Sequence, residues 1–409
     1  VLDMMQRGFR IDLYERQKGI ANLEAEITRL TGILNRFSYA AWDKPLNANS
    51  PTMLIDFFYK HMKIPEIWAS KKGEHKLSMD REALEKLDNY FHARPMVSTI
   101  LAIRDATKQL SVLRTEVDQD GRMRTSYNVA GTETGRFSSS TNAFGTGTNL
   151  QNITASLRKM FVSDPGYKIC GIDLEQAESR EVGWLSGIIC GDWSYLDACY
   201  SGDLHTLVAR TAWPELNWTG DAKADRAVAD TPFYRHLTYR DMAKKLGHGS
   251  NYRGLPPTMA RHAKLPVAVA EQFQRRYFKR FAGIPKWHRW VAQQIQTTHR
   301  IVTPLGRERT FFGRANDDTT LREAIAFSPQ SSTADRLNLV LWRVWHHMPQ
   351  VQLLAQVHDA LYFQYPEHLN EEDVIAEALS HFHIEFSNGD HKLVVPGEAK
   401  VGWNWGNFD

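Results

Sequence analysis

The sequence contains 409 residues, with 42% hydrophobic and 24% charged side chains and a formal net charge of +3. This composition excludes a disordered or fibrous chain, and the length is sufficient for two or three subdomains with sizeable cores. Three cysteines without metal-type spacing argue against a disulfide framework or a zinc site. Because there is no secretory pattern and no apolar run of about 18 residues, we expect a cytoplasmic protein. The first residue is Val1 rather than methionine, which suggests part of a longer chain.

The first third of the chain is predicted to be mostly helical. Ser50 and Pro51 are typical of a helix start, as the capping residue and a first-turn proline. From Met123 to Asn152, Gly, Ser, Thr and Asn predominate, which indicates loops and short strands. The helical patterns cover about 14–35, 81–87 and 95–113, after a short strand and turn within 1–12.

Two aspartates stand at the ends of predicted strands. The hydrophobic run that begins at Ile169 reaches Asp173 and then changes to a helix-like pattern. Two apolar stretches flank the pair His358-Asp359, a pattern that predicts a β-hairpin with an acidic tip. Two carboxylates fixed at exposed strand ends point to a two-metal site.

A strongly basic stretch lies between these aspartates. From Arg235 to Arg309 there are 16 lysines or arginines against three acidic residues, which is typical of a phosphate-binding surface. Within it, four residues recur every four positions and therefore share one drifting stripe of a helix. These residues are Arg240, Lys244, His248 and Tyr252. Two cations, an imidazole and a phenol suit a triphosphate at one end and a base or sugar at the other.

The last elements in chain order are a basic hairpin, a long helix, the acidic hairpin at His358-Asp359 and a final helix. The predicted bounds are 300–312 for the basic hairpin, 322–344 for a long helix and 371–386 for a final amphipathic helix.

In this order the motifs resemble the polymerase portion of family A DNA polymerases, and the resemblance covers nearly the whole chain. The matching segments are Thr134 to Ser139, Asn149 to Ile153, Asp173 to Arg180, the stripe from Arg240, Arg322 through Gln330 to Asp335, and Gln356 to Asp359. Each string alone is weak, but six in sequence are specific.

The resemblance implies an α+β right-hand polymerase fold with a helical thumb, an antiparallel-sheet palm and helical fingers. The implied boundaries are 1–40 for an N-terminal strand and helix packed on the palm, 41–122 for the thumb, 123–203 and 322–409 for the two parts of the palm, and 204–321 for the fingers.

The implied activity is template-directed, DNA-dependent DNA synthesis, in which dNTPs are added to a primer 3′-hydroxyl and pyrophosphate is released. Two Mg²⁺ ions are the implied cofactors, with Mn²⁺ as a possible substitute. The implied partners of a monomeric enzyme are primer-template DNA and dNTPs, with an upstream exonuclease domain or a processivity factor as further candidates. Proofreading is not expected in this chain, because the family's exonuclease acids belong to a domain that would precede Val1. The diverged motifs suggest a phage source, in a bacterial or phage-infected cell.

The resemblance also assigns roles to individual residues. Asp173 and Asp359 would bind the metals with the Leu174 carbonyl, and Lys244 would act in catalysis beside the scissile phosphate. The implied nucleotide-binding residues are Arg240, Lys244, His248, Tyr252, Glu178, His205 and Gln176, with Glu178 and Tyr252 as a steric gate against a 2′-hydroxyl. The implied primer-template contacts are Arg136, Asn149, Gln151, Gln330, His358 and Arg322. Arg158 and Arg180 are expected to be scaffold residues or template contacts.

The chain departs from the family pattern at several positions. His248 replaces a phenylalanine or tyrosine, so the sequence leaves open whether the chain discriminates against dideoxynucleotides. Ala360 replaces an acid, Glu175 a small residue and Ala326 an asparagine, while Arg253 interrupts the usual Tyr-Gly pair.

Two alternative functions remain. A single-subunit RNA polymerase is disfavoured because Glu178 occupies the gate position. A catalytically silent subunit that only binds primer-template is disfavoured because both carboxylates and the cationic stripe are present.

Overall fold

The computed structural model describes residues 1–71, 74–142, 145–234 and 237–408. Its helices are α1 Leu2–Arg7, α2 Leu13–Trp42, α3 Pro51–Ile55, α4 Arg81–Leu87, α5 Arg94–Leu113, α6 Ala177–Cys190, α7 Ser194–Tyr200, α8 Leu204–Ala212, α9 Ala222–Ala229, α10 Tyr239–Asn251, α11 Pro256–Ala263, α12 Val267–Arg280, α13 Gly283–Thr297, α14 Asp318–His347 and α15 Glu371–Phe382. No helix in these ranges combines the length and apolar character needed to cross a membrane.

The strands are short outside one central sheet. They are β1 Phe9–Ile11, β2 Trp68–Lys71, β3 Glu74–Leu77, β4 Arg122–Met123, β5 Ser126–Asn128, β6 Ser138–Ser140, β7 Phe161–Val162, β8 Tyr167–Leu174, β9 Pro232–Tyr234, β10 Leu237–Thr238, β11 Arg300–Val302, β12 Glu308–Thr310, β13 Gln352–Val357, β14 Ala360–Pro366, β15 Glu385–Asn388, β16 His391–Val394 and β17 Gly397–Gly402.

The chain divides into two compact units. The first comprises residues 1–126, 139–165 and 402–409, and the second comprises 127–138 and 166–401. In the first unit, the small sheet β4-β1-β7 packs with Trp405, whose buried ring stacks on Phe9 at 5.3 Å. The helices of this unit bury a separate core around Phe57, Phe58 and Leu84.

The second unit is built on a four-stranded sheet in the order β13-β14-β8-β17. Strand β14 pairs antiparallel with both β13 and β8. Nearly every residue of β13 and β14 is buried, so these strands are hydrophobic along their whole length rather than alternating. A largely helical core, which includes Trp287, Phe273 and Met242, lies in the same unit and supports α8, α10 and α12.

Most predicted elements are confirmed, and several are longer than the sequence indicated. The helix start at Ser50 and Pro51, helix α4 and the hairpin β11–β12 are present as predicted. The prediction that the last helix continues to Phe386 is wrong, since α15 ends at Phe382 and Phe386 belongs to the hairpin β15–β16. The two-residue turn Gly389-Asp390, with a positive φ at Gly389, connects the strands of that hairpin.

Candidate active site

The two predicted metal-binding aspartates lie at the same end of the central sheet. Asp173 is the penultimate residue of β8 and pairs in register with Ala360, the first residue of β14. Asp359 directly precedes Ala360, and its carbonyl accepts a 3.1 Å hydrogen bond from the Leu174 amide. Antiparallel pairing therefore places Asp173 and Asp359 side by side, although they are far apart in the sequence.

Asp359 occupies a two-residue turn. Val357 pairs with Ala360, so His358 and Asp359 form the connection between β13 and β14. His358 has a φ of 53°, which is the left-handed conformation that two-residue hairpin turns require. This turn leaves the His358 side chain exposed and fixes the Asp359 backbone beside β8.

The environment of Asp359 disfavours an isolated negative charge. Burial raises the pKa of its carboxyl group to about 6, and the nearby carboxylates Glu178 and Asp173 also raise it. The Arg136 guanidinium, 3.6 Å from Asp359 Oδ1, acts in the opposite direction but does not outweigh these effects.

Glu178 links three elements at the edge of this carboxylate cluster. It lies in the first turn of α6, and its two oxygens accept hydrogen bonds from Arg136 Nη2 and from the Tyr252 hydroxyl. Tyr252 follows the last residue of α10, and its ring meets His248 edge-on at 4.9 Å. Burial and the Glu178 carboxylate raise the pKa of Tyr252 well above its ordinary value. The phenol therefore remains a hydrogen-bond donor to Glu178.

The segment 127–138 holds Arg136 in place through contacts on both sides. The Tyr127 hydroxyl donates to the Gln356 carbonyl at 3.0 Å and accepts from the Gln356 amide at 3.1 Å. Gly135 has a φ of 77°, and a Cβ atom there would lie 2.5 Å from the Arg307 guanidinium carbon. Glycine at this position thus permits the close approach of the Arg307 side chain to the segment that carries Arg136.

Helix α10 starts at a reciprocal capping box. Thr238 Oγ1 accepts from the Asp241 amide at 3.1 Å, and Asp241 Oδ2 accepts from the Thr238 amide at 3.1 Å. Arg240 is consequently in the first turn, and the exposed side chains of Lys244 and His248 follow along one face.

An open cleft of about 1080 Å³ lies along this face of α10. The predicted site residues among those that line it are Leu174, Gln176, Glu178, His205, Lys244, His248, Tyr252 and Asp359. The structure thus brings Glu178, Asp359 and most of the helix stripe to one concave surface.

Arg240 is paired with an acidic residue that the sequence analysis left without a role. Arg240 Nε donates to Asp203 Oδ2 at 2.7 Å, and Nη2 donates to Oδ1 at 3.1 Å. Asp203 caps α8, the helix that carries His205 into the cleft. Burial and the charge of Arg240 lower the pKa of His205 to about 4, so its imidazole is neutral near pH 7.

The other predicted contacts have varied settings. Gln176 occupies the N-cap position of α6 with a left-handed backbone conformation and no side-chain capping bond, while Gln330 is half-buried and directly follows Pro329 in α14. The Arg322 guanidinium lies 3.2 Å from the Asp318 carboxylate.

In the first unit, Asn149 caps the turn Leu150–Asn152 by accepting a hydrogen bond from the Gln151 amide, and Arg158 covers the Trp405 ring. Arg180 is buried, and its Nε donates to the Glu175 carbonyl, which fits the scaffold interpretation.

Sequence reasoning also missed a buried polar network below α10. Asn251 Nδ2 donates to the Tyr195 hydroxyl, Asn251 Oδ1 accepts from Tyr277, and the Asn251 carbonyl lies 2.8 Å from His288 Nε2. These contacts fix the residue that precedes Tyr252. Neither helical periodicity nor composition indicates such a network, whereas the Thr238-to-Asp241 spacing and the position of Asp203 before α8 are recognisable capping signals.

The residues at the sheet end fit a divalent cation. The Glu178 and Asp173 carboxylates both repel a negative charge on Asp359, and a cation would relieve that repulsion. Within the described ranges, no group of three or more His, Cys, Asp or Glu side chains is arranged to hold a metal ion by itself. Two carboxylates and the Leu174 carbonyl suit an ion such as Mg²⁺, which takes its remaining oxygens from water and phosphates.

Known proteins resemble this chain over most of its length. The model of DNA polymerase family A matches residues 17–407. The thermostable DNA polymerase I of Thermus aquaticus is 28% identical over 431 residues, which cover 98% of this chain and 46% of that protein. DNA polymerase I of Helicobacter pylori is 28% identical over 386 residues, which cover 90% of this chain and 39% of that protein. The chain thus spans less than half the length of these relatives.

A solved structure shares the fold. The POL domain of Pol1 from M. smegmatis, in complex with DNA primer-template and dNTP, has a TM-score of 0.79 and 25% identity, and the match covers 98% of this chain and 67% of that chain. This similarity confirms the α+β right-hand polymerase fold. Because the family model spans nearly the whole sequence, the chain belongs to DNA polymerase family A.

Proposed function

We propose that this chain is a template-directed DNA polymerase that adds dNTPs to a primer 3′-hydroxyl and releases pyrophosphate. The observation that carries the proposal is the placement of Asp173 and Asp359 at one sheet end, beside a cleft lined by Lys244 and His205. Family membership supports the same activity, and the Pol1 domain of similar fold binds primer-template and dNTP.

Family A polymerases use divalent metal ions, and Mg²⁺ is the proposed ion here, with Mn²⁺ as a substitute. The Asp173 and Asp359 carboxylates and the Leu174 carbonyl would hold two ions. Such ions lower the pKa of a primer hydroxyl and stabilise negative charge on the attacking and leaving oxygens. The chain's own contribution is a pair of acidic ligands whose strands already hold them side by side.

The remaining chemistry is positioning and charge stabilisation by residues of the cleft. Lys244 would neutralise the charge that develops on the transferred phosphate and donate a proton to the leaving pyrophosphate. Arg240 and the neutral His205 would bind the outer phosphates as hydrogen-bond donors. Gln176, His248 and Tyr252 would enclose the base and sugar, with Glu178 closing the space that a 2′-hydroxyl needs.

The proposed primer-template contacts are Arg136, Asn149, Gln151, Gln330, His358 and Arg322. Amides and arginines can reach the minor-groove acceptors that every correct base pair presents. The division into thumb, palm and fingers, the monomeric state, the phage source, the cytoplasmic location and an upstream exonuclease domain or processivity factor stay predictions.

Primer extension tests the proposed function directly. A labelled primer-template would be incubated with Mg²⁺ and either dNTPs or rNTPs, using the parent chain, Asp173→Asn and Asp359→Asn. We expect extension with dNTPs only, and a loss of at least about 10³-fold in either variant because each removes a ligand charge. Glu175→Gln is the matched control, since Glu175 is an exposed acid two residues from Asp173.

The same assay separates the alternatives. Extension with rNTPs at a comparable rate would favour an RNA polymerase. Binding of primer-template without extension, in Mg²⁺ and in Mn²⁺, would favour a silent subunit and contradict the proposal.

A further inference from the structure

Asp203 contacts Arg240, a predicted phosphate-binding residue, at two points. Both of its oxygens accept hydrogen bonds from Arg240, at 2.7 Å from Nε and 3.1 Å from Nη2. This two-point contact fixes the plane of the guanidinium group as well as its position. Because it uses the Nε edge, the Nη1 edge of Arg240 is directed away from Asp203.

A second arginine reaches the same carboxylate. Arg226 Nη1 donates to Asp203 Oδ2 at 2.9 Å, and Arg226 Nε donates to Asp230 at 2.6 Å. Arg226 lies on α9, outside the motifs that carry the family resemblance. Asp203 therefore joins two guanidinium groups that would otherwise repel each other.

The backbone holds Asp203 rigidly. As the N-cap of α8, it accepts hydrogen bonds from the amides of His205 and Thr206, and its Oδ2 also accepts from the Thr206 hydroxyl at 2.8 Å. Although burial raises the pKa of Asp203, the hydrogen bonds from Arg240 and Thr206 outweigh it and hold the pKa far below its ordinary value. The carboxylate is thus a fixed charge at the start of the helix that carries His205.

We propose that Asp203 is a positioning residue for nucleotide binding. It orients Arg240 toward the triphosphate and fixes the positions of Arg240 and His205 relative to each other. The inference rests on the proposed function, because it assigns Arg240 to the phosphates. Asp203 acts through Arg240 and needs no contact with the nucleotide. It presents a guanidinium group whose side-chain freedom is already restricted, so less entropy is lost on binding.

Steady-state kinetics of single-nucleotide incorporation test this role. Asp203→Asn retains an oxygen that can cap α8 but removes the charge that holds Arg240. We expect the KM for dNTP to rise about tenfold while kcat stays within about twofold, since orientation is lost and the catalytic groups remain. Asp203→Ser, which also retains a capping oxygen, should give the same split.

A double-mutant cycle separates positioning from a general effect on folding. In the Arg240→Gln background, Asp203→Asn should change KM little further, because both substitutions remove the same interaction. Asp12→Asn, at the aspartate that caps α2 through the Glu15 amide, is the control for loss of an N-cap charge and should keep the parental KM.

Three outcomes would overturn the inference: an unchanged KM in both Asp203 variants, a lowered KM, or effects of Asp203→Asn and Arg240→Gln that simply add. If the parent chain itself failed to extend primers, the proposed function would fail instead. The two failures are therefore distinguishable.

Discussion

At the level of single residues, the Asp359 carboxylate lies close to one cation and two other carboxylates. The turn conformation of His358 fixes its backbone, and the pairing of β14 with β8 sets its distance from Asp173. The sequence pattern predicts an acid at a strand end. Only the folded chain shows that Arg136 and Glu178 share its surroundings. The raised pKa of Asp359 is a consequence of that convergence.

Glu178→Ala tests the proposed sugar gate. Removing the carboxylate should open the space beside Tyr252 and raise the ratio of rNTP to dNTP incorporation by about tenfold or more, because a polar clash with the 2′-hydroxyl is lost. Incorporation of dNTPs should also slow, since Arg136 and Tyr252 lose their common partner. Competing dNTP and rNTP incorporation at one template position measures the ratio.

The matched control for this prediction is Glu271→Ala, an exposed acid on α12 of the same unit. It should leave the ratio at the parental value. A parental ratio in Glu178→Ala would assign sugar discrimination to another residue.

At the level of elements, a buried ion pair that no sequence motif indicates joins α6 and α14. Arg336 Nε donates to Glu181 Oε1 at 2.7 Å, and both side chains are at most 2% exposed. Arg336 Nη1 also donates to the Ile384 carbonyl at 2.7 Å, and its guanidinium carbon lies 3.9 Å from the Phe386 ring centre. The pair therefore connects both helices to the segment after α15. Helical periodicity predicts that both residues lie on helices, but it does not indicate that they face each other.

Glu181→Gln should lower the free energy of unfolding by about 3–5 kcal/mol, because it leaves the Arg336 charge buried without its counterion. Urea denaturation followed by tryptophan fluorescence measures the change. The double variant Glu181→Leu, Arg336→Met should be destabilised less than Glu181→Gln, since neither buried charge remains.

Glu323→Gln provides the comparison, because Glu323 is half-exposed in its ion pair with Arg309. Its cost should stay below about 1 kcal/mol. Equal costs for Glu181→Gln and Glu323→Gln would show that burial does not determine the contribution of the α6–α14 pair.

At the level of the whole molecule, the dependence of stability on pH reflects groups with opposite effects. Burial lowers the pKa of His288 and of His205 to about 4, so each histidine takes up protons more readily in the unfolded chain between about pH 4 and 6.5. The contribution of these neutral histidines to the free energy of unfolding is fully present above pH 6.5, and it is lost as the pH decreases through that window. Asp359, with its pKa raised to about 6, contributes in the opposite sense over a similar range.

His288→Gln isolates one of these contributions, because Asp359 and His205 are the same in both proteins. The parent should lose about 2 kcal/mol more than the variant between pH 7 and pH 5, since protonation of unfolded His288 is removed. Chemical denaturation at the two pH values measures the difference. Replacement of the exposed His368 by Gln is the control and should leave the pH dependence unchanged; equal losses in parent and His288→Gln would contradict the assignment.

The sequence by itself determined the family and the fold class, and it predicted the central acids and cations. These inferences depend on short strings such as Asp173 to Arg180 and the stripe from Arg240, in which the residue types and their spacing carry the signal. Local signals also marked the helix at Ser50 and the hairpin tip at Asp359, because capping and turn geometry depend on a few adjacent residues.

Only the tertiary structure decided which groups meet. Several contacts join residues that are distant in the sequence. They are the two-point ion pair of Asp203 with Arg240, the ion pair of Glu181 with Arg336, and the hydrogen bonds from Arg136 and Tyr252 to Glu178. Such contacts depend on the packing of elements against one another, which periodicity and capping do not specify. The same packing sets burial, and burial moves the pKa values of Asp359 and His205 in opposite directions, because removal from water disfavours whichever form is charged.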